Sequence, residues 1–150
     1  MKIYNVKDKI EYLREVLTLE YLEWSENKTS DIEHTIDKKV EKVKGMLDRN
    51  DFCKLILLDN DILVGFISIF PEDSEEHKEL TPWYATMFVK KEYRGHGYSK
   101  ILNDAIHKEA KKRGFKTLYL KTTLNNYYEK FGAKLIEVMS NGEKLLKFDL

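Results

Sequence analysis

The sequence predicts an α/β (α+β) fold in which a mixed, mostly antiparallel sheet of six to seven strands is flanked by about four helices. Three observations lead there. Segments of helical and of strand period mix along one 150-residue chain, in the order β-α-α-β-β-β-α-β-α-β-β. Turn dipeptides at Asn60-Asp61 and Asn141-Gly142 join neighbouring strands as hairpins, which makes those pairs antiparallel. A chain that is 42% hydrophobic with only two prolines has core residues to spare and little room for linkers, so residues 1–150 read as a single domain.

The elements follow in order. After a short N-terminal strand, residues 9–24 set Ile10, Leu13, Leu17, Tyr21 and Trp24 on one helical stripe, widened by Tyr12, Val16 and Leu19. Ser30 and Glu33 have capping-box spacing before a second helix, whose apolar face is Ile32, Ile36, Val40, Val43 and Leu47. Phe52 to Leu58 and Ile62 to Phe70 form a hairpin through Asn60-Asp61. A charged loop, residues 71–80, precedes an aromatic-rich strand from Trp83 to Val89. Helical period returns over 98–112, with Gly114 ending that helix. Thr117 to Thr122 is a strand, and Asn125 to Phe131 a short helix stopped by Gly132. Leu135 to Val138 and Lys144 to Phe148 close the chain around Asn141-Gly142.

Composition removes several function classes. Lys+Arg and Asp+Glu are 26 each, so the net charge is zero, whereas a dedicated nucleic-acid binder carries a basic excess. The single cysteine, Cys53, excludes a disulfide framework and a multi-Cys zinc site, and in a predicted strand it reads as a small core residue. No apolar run nears the roughly 20 residues that cross a bilayer, and the N-terminus is too charged for a signal peptide. The expectation is a cytoplasmic protein without a membrane or nucleic-acid partner. His34, His77, His96 and His107 show no ligand spacing, so no metal is expected.

The chemistry concentrates where the aromatic strand runs through Lys90-Lys91-Glu92-Tyr93-Arg94-Gly95-His96-Gly97 into the long helix. Backbone N–H groups at a helix start lack intrahelical partners, and the helix dipole adds positive potential there, which suits a phosphate. Gly95 and Gly97 let the backbone approach a ligand without a Cβ in the way. Lys90, Lys91, Arg94 and Lys100 against Glu92 give a local charge of +3. A Walker A loop is absent, and Lys100 stands where a dinucleotide fingerprint needs its third glycine. On spacing alone, an ordinary strand–turn–helix junction with two incidental glycines remains equally open.

These residues resemble a known family. Val89 to Leu102 is similar to the acyl-CoA motif of the GNAT (Gcn5-related) N-acetyltransferases: Gln or Arg, two residues, Gly, one residue, Gly or Ala. Arg94, Gly97 and Ser99 fall on it, with Ser99 departing from the usual Gly or Ala. Leu118-Tyr119-Leu120 and Tyr127-Tyr128-Glu129-Lys130-Phe131-Gly132-Ala133 resemble the family's late strand and its Phe-Tyr-Glu-Lys helix. Leu80-Thr81-Pro82-Trp83 looks like one subgroup of uncharacterised substrate.

The resemblance implies acetyl-CoA as acyl donor and an amine of a small molecule or peptide as acceptor, attacking directly in a ternary complex. A second copy of the chain, as a homodimer, is left open. It implies that Arg94, Gly95, His96, Gly97, Tyr98 and Ser99 hold the pyrophosphate, that Met87, Phe88 and Val89 pair with the pantetheine arm, and that Asn125 touches the cofactor. Tyr128 falls where the family has the proton donor to the leaving thiolate, a role a phenol with a pKa near 10 can fill beside a thiol near 8.5. The acceptor pocket falls to the first two helices and the loop before the central strand, hence to Glu20, Tyr21, Trp24 and Trp83. Glu79 stands as candidate general base, with Glu20 and Glu23 also open. The loop 71–80 has five acidic residues against Lys78, a net of −4 that suits a cationic amine. A non-catalytic acyl-CoA-binding module is the competing reading.

Overall fold

A computed structural model describes residues 1–150. The strands are β1 (Lys2–Asn5), β2 (Cys53–Asp59), β3 (Ile62–Phe70), β4 (Trp83–Val89), β5 (Thr117–Thr122), β6 (Lys134–Val138) and β7 (Lys144–Asp149). The helices are α1 (Leu13–Trp24), α2 (Ile32–Lys44) and α3 (Tyr98–Lys112). One seven-stranded sheet runs β1-β2-β3-β4-β5-β7-β6, antiparallel throughout except between β4 and β5. This is the expected mixed sheet with three flanking helices instead of four. The segment from Asn125 to Phe131 forms only a 3-10 turn over Glu129–Phe131. Asn126 at φ +57 and Gly132 at φ +98 interrupt right-handed helical geometry on both sides of that turn.

Two further expectations shift locally. The first helix is entered through 3-10 turns at Val6–Asp8 and Ile10–Tyr12, so its regular part begins only at Leu13. Asp31, not Ser30, caps α2: its carboxylate accepts the His34 N–H at 3.1 Å. The β2–β3 turn is as expected, with Asn60 and Asp61 both at positive φ, as a two-residue hairpin requires.

Strand alternation splits the core between the two faces. Leu55 and Leu57 point to the face covered by Leu102, Ile106 and Ala110 of α3. Ile56 and Leu58 point to the face covered by Val16 and Leu17 of α1 and Val43 of α2. Cys53 is buried in this core, and burial pushes its thiol up to about 11, as fits a packing residue. None of the helices is long and apolar enough to cross a membrane.

The centre of the sheet is irregular. Ser68 pairs with Ala85 and Phe66 with Phe88, so Thr86 and Met87 both stand opposite Ile67. That bulge carries Thr86 at φ +50. Gly65 lets β4 approach β3, since a Cβ there would lie 2.4 Å from the Phe88 carbonyl oxygen. Between β4 and β5 only Trp83 and Tyr119 pair, with the Tyr119 N–H donating to the Pro82 carbonyl at 3.0 Å. Beyond that point the two strands no longer pair, and the edge of β4 facing β5 is left free.

Candidate active site

A cavity of about 940 Å³ opens against this parting of β4 and β5. Tyr84, Ala85, Thr86 and Met87 line it from β4, and Leu120 and Lys121 from β5. Glu20, Tyr21 and Trp24 come from α1, Lys39 and Lys42 from α2, and Lys54 from β2. Asp73, Tyr128 and Glu143 complete the polar lining on the far side.

At the end of β4 the chain turns through Gly95 at φ +82 and Gly97 at φ +78 into α3. The first helical hydrogen bond is donated by Ile101, to Gly97 O at 3.4 Å. The six preceding N–H groups, Gly95 through Lys100, donate to nothing within the chain. A run of six free donors at the positive end of a 15-residue helix is an anion cradle. The local charge is smaller than the sequence count. Lys90 pairs with Glu15 at 2.7 Å and Lys100 with Asp104 at 2.7 Å, which leaves Lys91 and Arg94 as the turn's uncommitted cations. The Arg94 Nε–H donates to the Val89 carbonyl at 2.9 Å, and its guanidinium lies 5.9 Å from the Phe88 ring centre. That holds Arg94 back along the turn.

Tyr128 lies half-buried on the cavity wall, against Tyr127 and Tyr84. Burial, and then Tyr127, push its phenol up to about 12. Tyr84 is 3% exposed, lines the same cavity, and its hydroxyl has no partner in the chain. Two phenols thus face the gap between β4 and β5, both protonated across the physiological range.

The acceptor-side expectations divide. Glu20, Tyr21 and Trp24 do line the cavity. Trp24 is 47% exposed and edge-on to Phe88 at 6.3 Å, so it forms a wall rather than core. The Tyr21 hydroxyl accepts the Thr29 N–H at 2.7 Å and ties down the α1–α2 connection. The Glu20 carboxylate is not free, because it is paired with the Lys54 ammonium. Lys54 is 1% exposed, donates also to Ser68 Oγ at 3.1 Å, and sits 4.8 Å from the Phe70 ring centre. A buried lysine needs such a partner. The Thr86 hydroxyl donates to Ser68 Oγ at 2.7 Å, linking this pair to the β4 bulge.

Trp83 and Glu79 lie outside the cavity lining. Trp83 is 0% exposed, packed with Met139 and Leu145, and its indole N–H donates to Leu80 O at 2.8 Å. An apolar side chain at the one β4–β5 pair is enclosed by both strands, which makes it core. Glu79 is exposed with its carboxylate on His77 Nδ1 at 3.1 Å. His77 Nε2 lies 2.8 Å from Glu137 and 3.6 Å from Glu76, so two of the loop's five acids and one acid of β6 gather round one imidazole. Side-chain oxygens of Glu76 and Glu137 and a ring nitrogen of His77 fall within 4.8 Å of one another, a grouping with no spacing signal because Glu137 comes from β6. Asn125 is exposed and its amide oxygen accepts from Lys144.

Asp73, from the same loop as Glu79, does line the cavity. Burial raises its carboxyl from 3.8 to about 6 against the opposing pull of Lys121, 3.9 Å away. A carboxylate tuned there is a proton acceptor at neutral pH. Within the loop sequence Asp73 is one acid among five, and only the fold singles it out. Lys54 had a readable signal: a lysine inside an otherwise apolar strand requires a buried partner.

Comparison with known proteins places this arrangement among acetyltransferases. The sequence model described as "Acetyltransferase (GNAT) family" matches residues 10–133. The chain is 34% identical over 97 residues to a "Probable spermine N(1)-acetyltransferase" of Bacillus subtilis subsp. natto (strain BEST195), a match covering 59% of this chain and 64% of that protein. It therefore spans less than two thirds of that relative's length. Among solved structures, an aminoglycoside 6'-N-acetyltransferase from Enterococcus faecium superposes with TM-score 0.70 at 20% identity, over 99% of this chain and 97% of that one. A PaiA N-acetyltransferase from Thermoplasma acidophilum in complex with coenzyme A superposes with TM-score 0.64 at 21% identity, over the whole of both chains. At such identities the structural likeness is one of fold.

Proposed function

Since the chain belongs to the acetyltransferase (GNAT) family, we propose that it acts as one domain that transfers the acetyl group of acetyl-CoA to the amine of a small molecule. The observation that carries this reading is the continuity of three features. Six free N–H groups at the start of α3 lead to the free edge of β4, and that edge leads into the cavity beside Tyr128.

The residues fit the donor part by part. Gly95 through Lys100 offer their N–H groups to the pyrophosphate, with Arg94 and Lys91 as the nearby cations. The free edge of β4 along Met87 and Phe88 is left to pair with the pantetheine arm, and Val89, whose carbonyl accepts from Arg94, extends that edge towards the turn. The unpartnered Tyr84 hydroxyl is a donor waiting at the inner end of that path.

In the transfer, the acceptor nitrogen bonds to the acetyl carbon, the carbon–sulfur bond breaks, and a proton leaves the nitrogen. Asp73 takes that proton, its carboxyl being raised by burial to about 6. Tyr128 hydrogen-bonds the departing sulfur. With its phenol near 12 and a coenzyme thiol near 8.5, it stabilises the thiolate by donation without giving the proton up outright.

Thiol release from acetyl-CoA across an amine panel tests the reading. Amine-dependent release that is slowed roughly 10- to 1000-fold in Tyr128→Phe is expected. Binding of acetyl-CoA with no release on any amine would leave a non-catalytic acyl-CoA-binding module instead.

A further inference from the structure

We infer that the acceptor is an amphoteric amine, carrying a carboxylate as well as the amino group that is acetylated. This rests on the transfer reading above and adds to it the chemical class of the acceptor.

Five carboxylates and five cations line the cavity, and the Arg49 guanidinium among the cations is held by Asp51 outside it. The deep carboxylates are already answered: Glu20 by Lys54, and Asp73 by Lys121. The acidic loop that would have drawn a polyamine spends Glu76 and Glu79 on His77, away from the cavity.

The cations of α2 are arranged differently. Lys39 and Lys42 lie one turn apart on the wall of the cavity, and neither has a carboxylate within salt-bridge distance. The acids flanking them on that helix go to other cations, Asp37 to Arg14 at 2.6 Å and Glu41 to Lys44 at 4.0 Å. The Lys39 ammonium sits 5.8 Å over the Tyr21 ring, which lines the cavity, so it leans across the opening instead of away from it. It is close enough to Lys54 for the two ammoniums to repel. Two uncommitted ammoniums on α2 thus line the same cavity as Asp73 and Glu143, which lie near each other. An acceptor whose amine points to Asp73 and whose carboxylate points to Lys39 and Lys42 satisfies both walls at once. A polyamine satisfies one and is repelled by the other.

Matched pairs that differ only by the carboxylate test this: L-lysine against cadaverine, and L-ornithine against putrescine. Two readouts are taken, kcat/KM for thiol release and calorimetric binding to the protein saturated with CoA. The carboxylate-bearing member should be favoured by at least about tenfold in each. In Lys39→Glu with Lys42→Glu the preference should vanish or reverse, while Lys39→Arg with Lys42→Arg should keep it. All four substitutions are at exposed positions, and an unchanged melting temperature confirms the fold. If no amine of the wider panel is turned over but the amino acid still binds tenfold tighter, the transfer reading falls while the carboxylate-binding role of Lys39 and Lys42 stands. Equal or reversed preference in binding, no binding by either member, or a preference that survives charge reversal overturns it.

Discussion

Tyr128 meets Tyr84 edge to face, ring centres 5.7 Å apart and planes at 78°, one residue beyond the single β4–β5 pair at Trp83. The contact fixes the Tyr128 ring at the mouth of the gap between the strands, and the two rings share one apolar cluster that keeps water from both. Removing the Tyr128 hydroxyl leaves that packing in place. Tyr128→Phe should therefore lower kcat by roughly 10- to 1000-fold, within the usual range for proton-transfer groups, and leave acetyl-CoA binding almost unchanged. Steady-state kinetics beside calorimetry checks this. Tyr127→Phe is the control, and an equal loss there would move the role.

Asp73 should set the acidic limb of the pH–rate profile. Its carboxyl is held near 6, so the proton-accepting form is complete above that pH and lost as pH falls through it. Asp73→Asn should remove that limb and lower kcat by about 100-fold or more.

The same residue makes a stability prediction of opposite sign. A carboxyl raised from an unfolded value near 3.9 to about 6 disfavours folding where it is charged. The penalty, at most about 3 kcal/mol, is present above pH 6 and gone below about pH 4. Asp73→Asn should thus melt higher than the wild type at pH 7.5 while it is nearly inactive. Denaturant unfolding at several pH values measures the difference.

Glu20 should behave as a structural partner before anything else. Glu20→Gln leaves the Lys54 ammonium, 1% exposed, without its counter-charge. Breaking such a pair costs about 3–5 kcal/mol, or a fall in Tm of roughly 6–20 °C for a domain of this size. Glu20→Gln combined with Lys54→Met should recover most of that loss, since no charge is then left buried. A merely additive double variant would contradict the assignment.

Most of the sheet and the glycine turn before α3 were legible because local rules suffice there. Ile62–Phe70, Trp83–Val89, Tyr98–Lys112 and Thr117–Thr122 begin and end where periodicity and turn chemistry set them. The turn through Gly95 and Gly97 follows from glycine's access to positive φ. What was not legible depends on tertiary partners. The stretch from Asn125 to Phe131 has helical composition but is bent by Asn126 at positive φ. Trp83 reads as a pocket aromatic and is core, because the one β4–β5 pair closes over it. Glu79 and Asp73 are equivalent in the sequence. They part only because His77 takes one and the cavity beside Lys121 takes the other.

The central claim is that the turn before α3 holds coenzyme A, and calorimetric titration of CoA into wild type and Gly97→Val tests it most directly. Position 97 is at φ +78 with nothing within 4 Å of a built Cβ, so a side chain there meets the incoming ligand before it meets the protein. The backbone strain should cost about 1–2 kcal/mol, with the circular dichroism of the native fold retained. The account predicts saturable one-to-one binding by the wild type and loss of binding in Gly97→Val. Equal affinity in the two proteins, or no binding by the wild type, would contradict it.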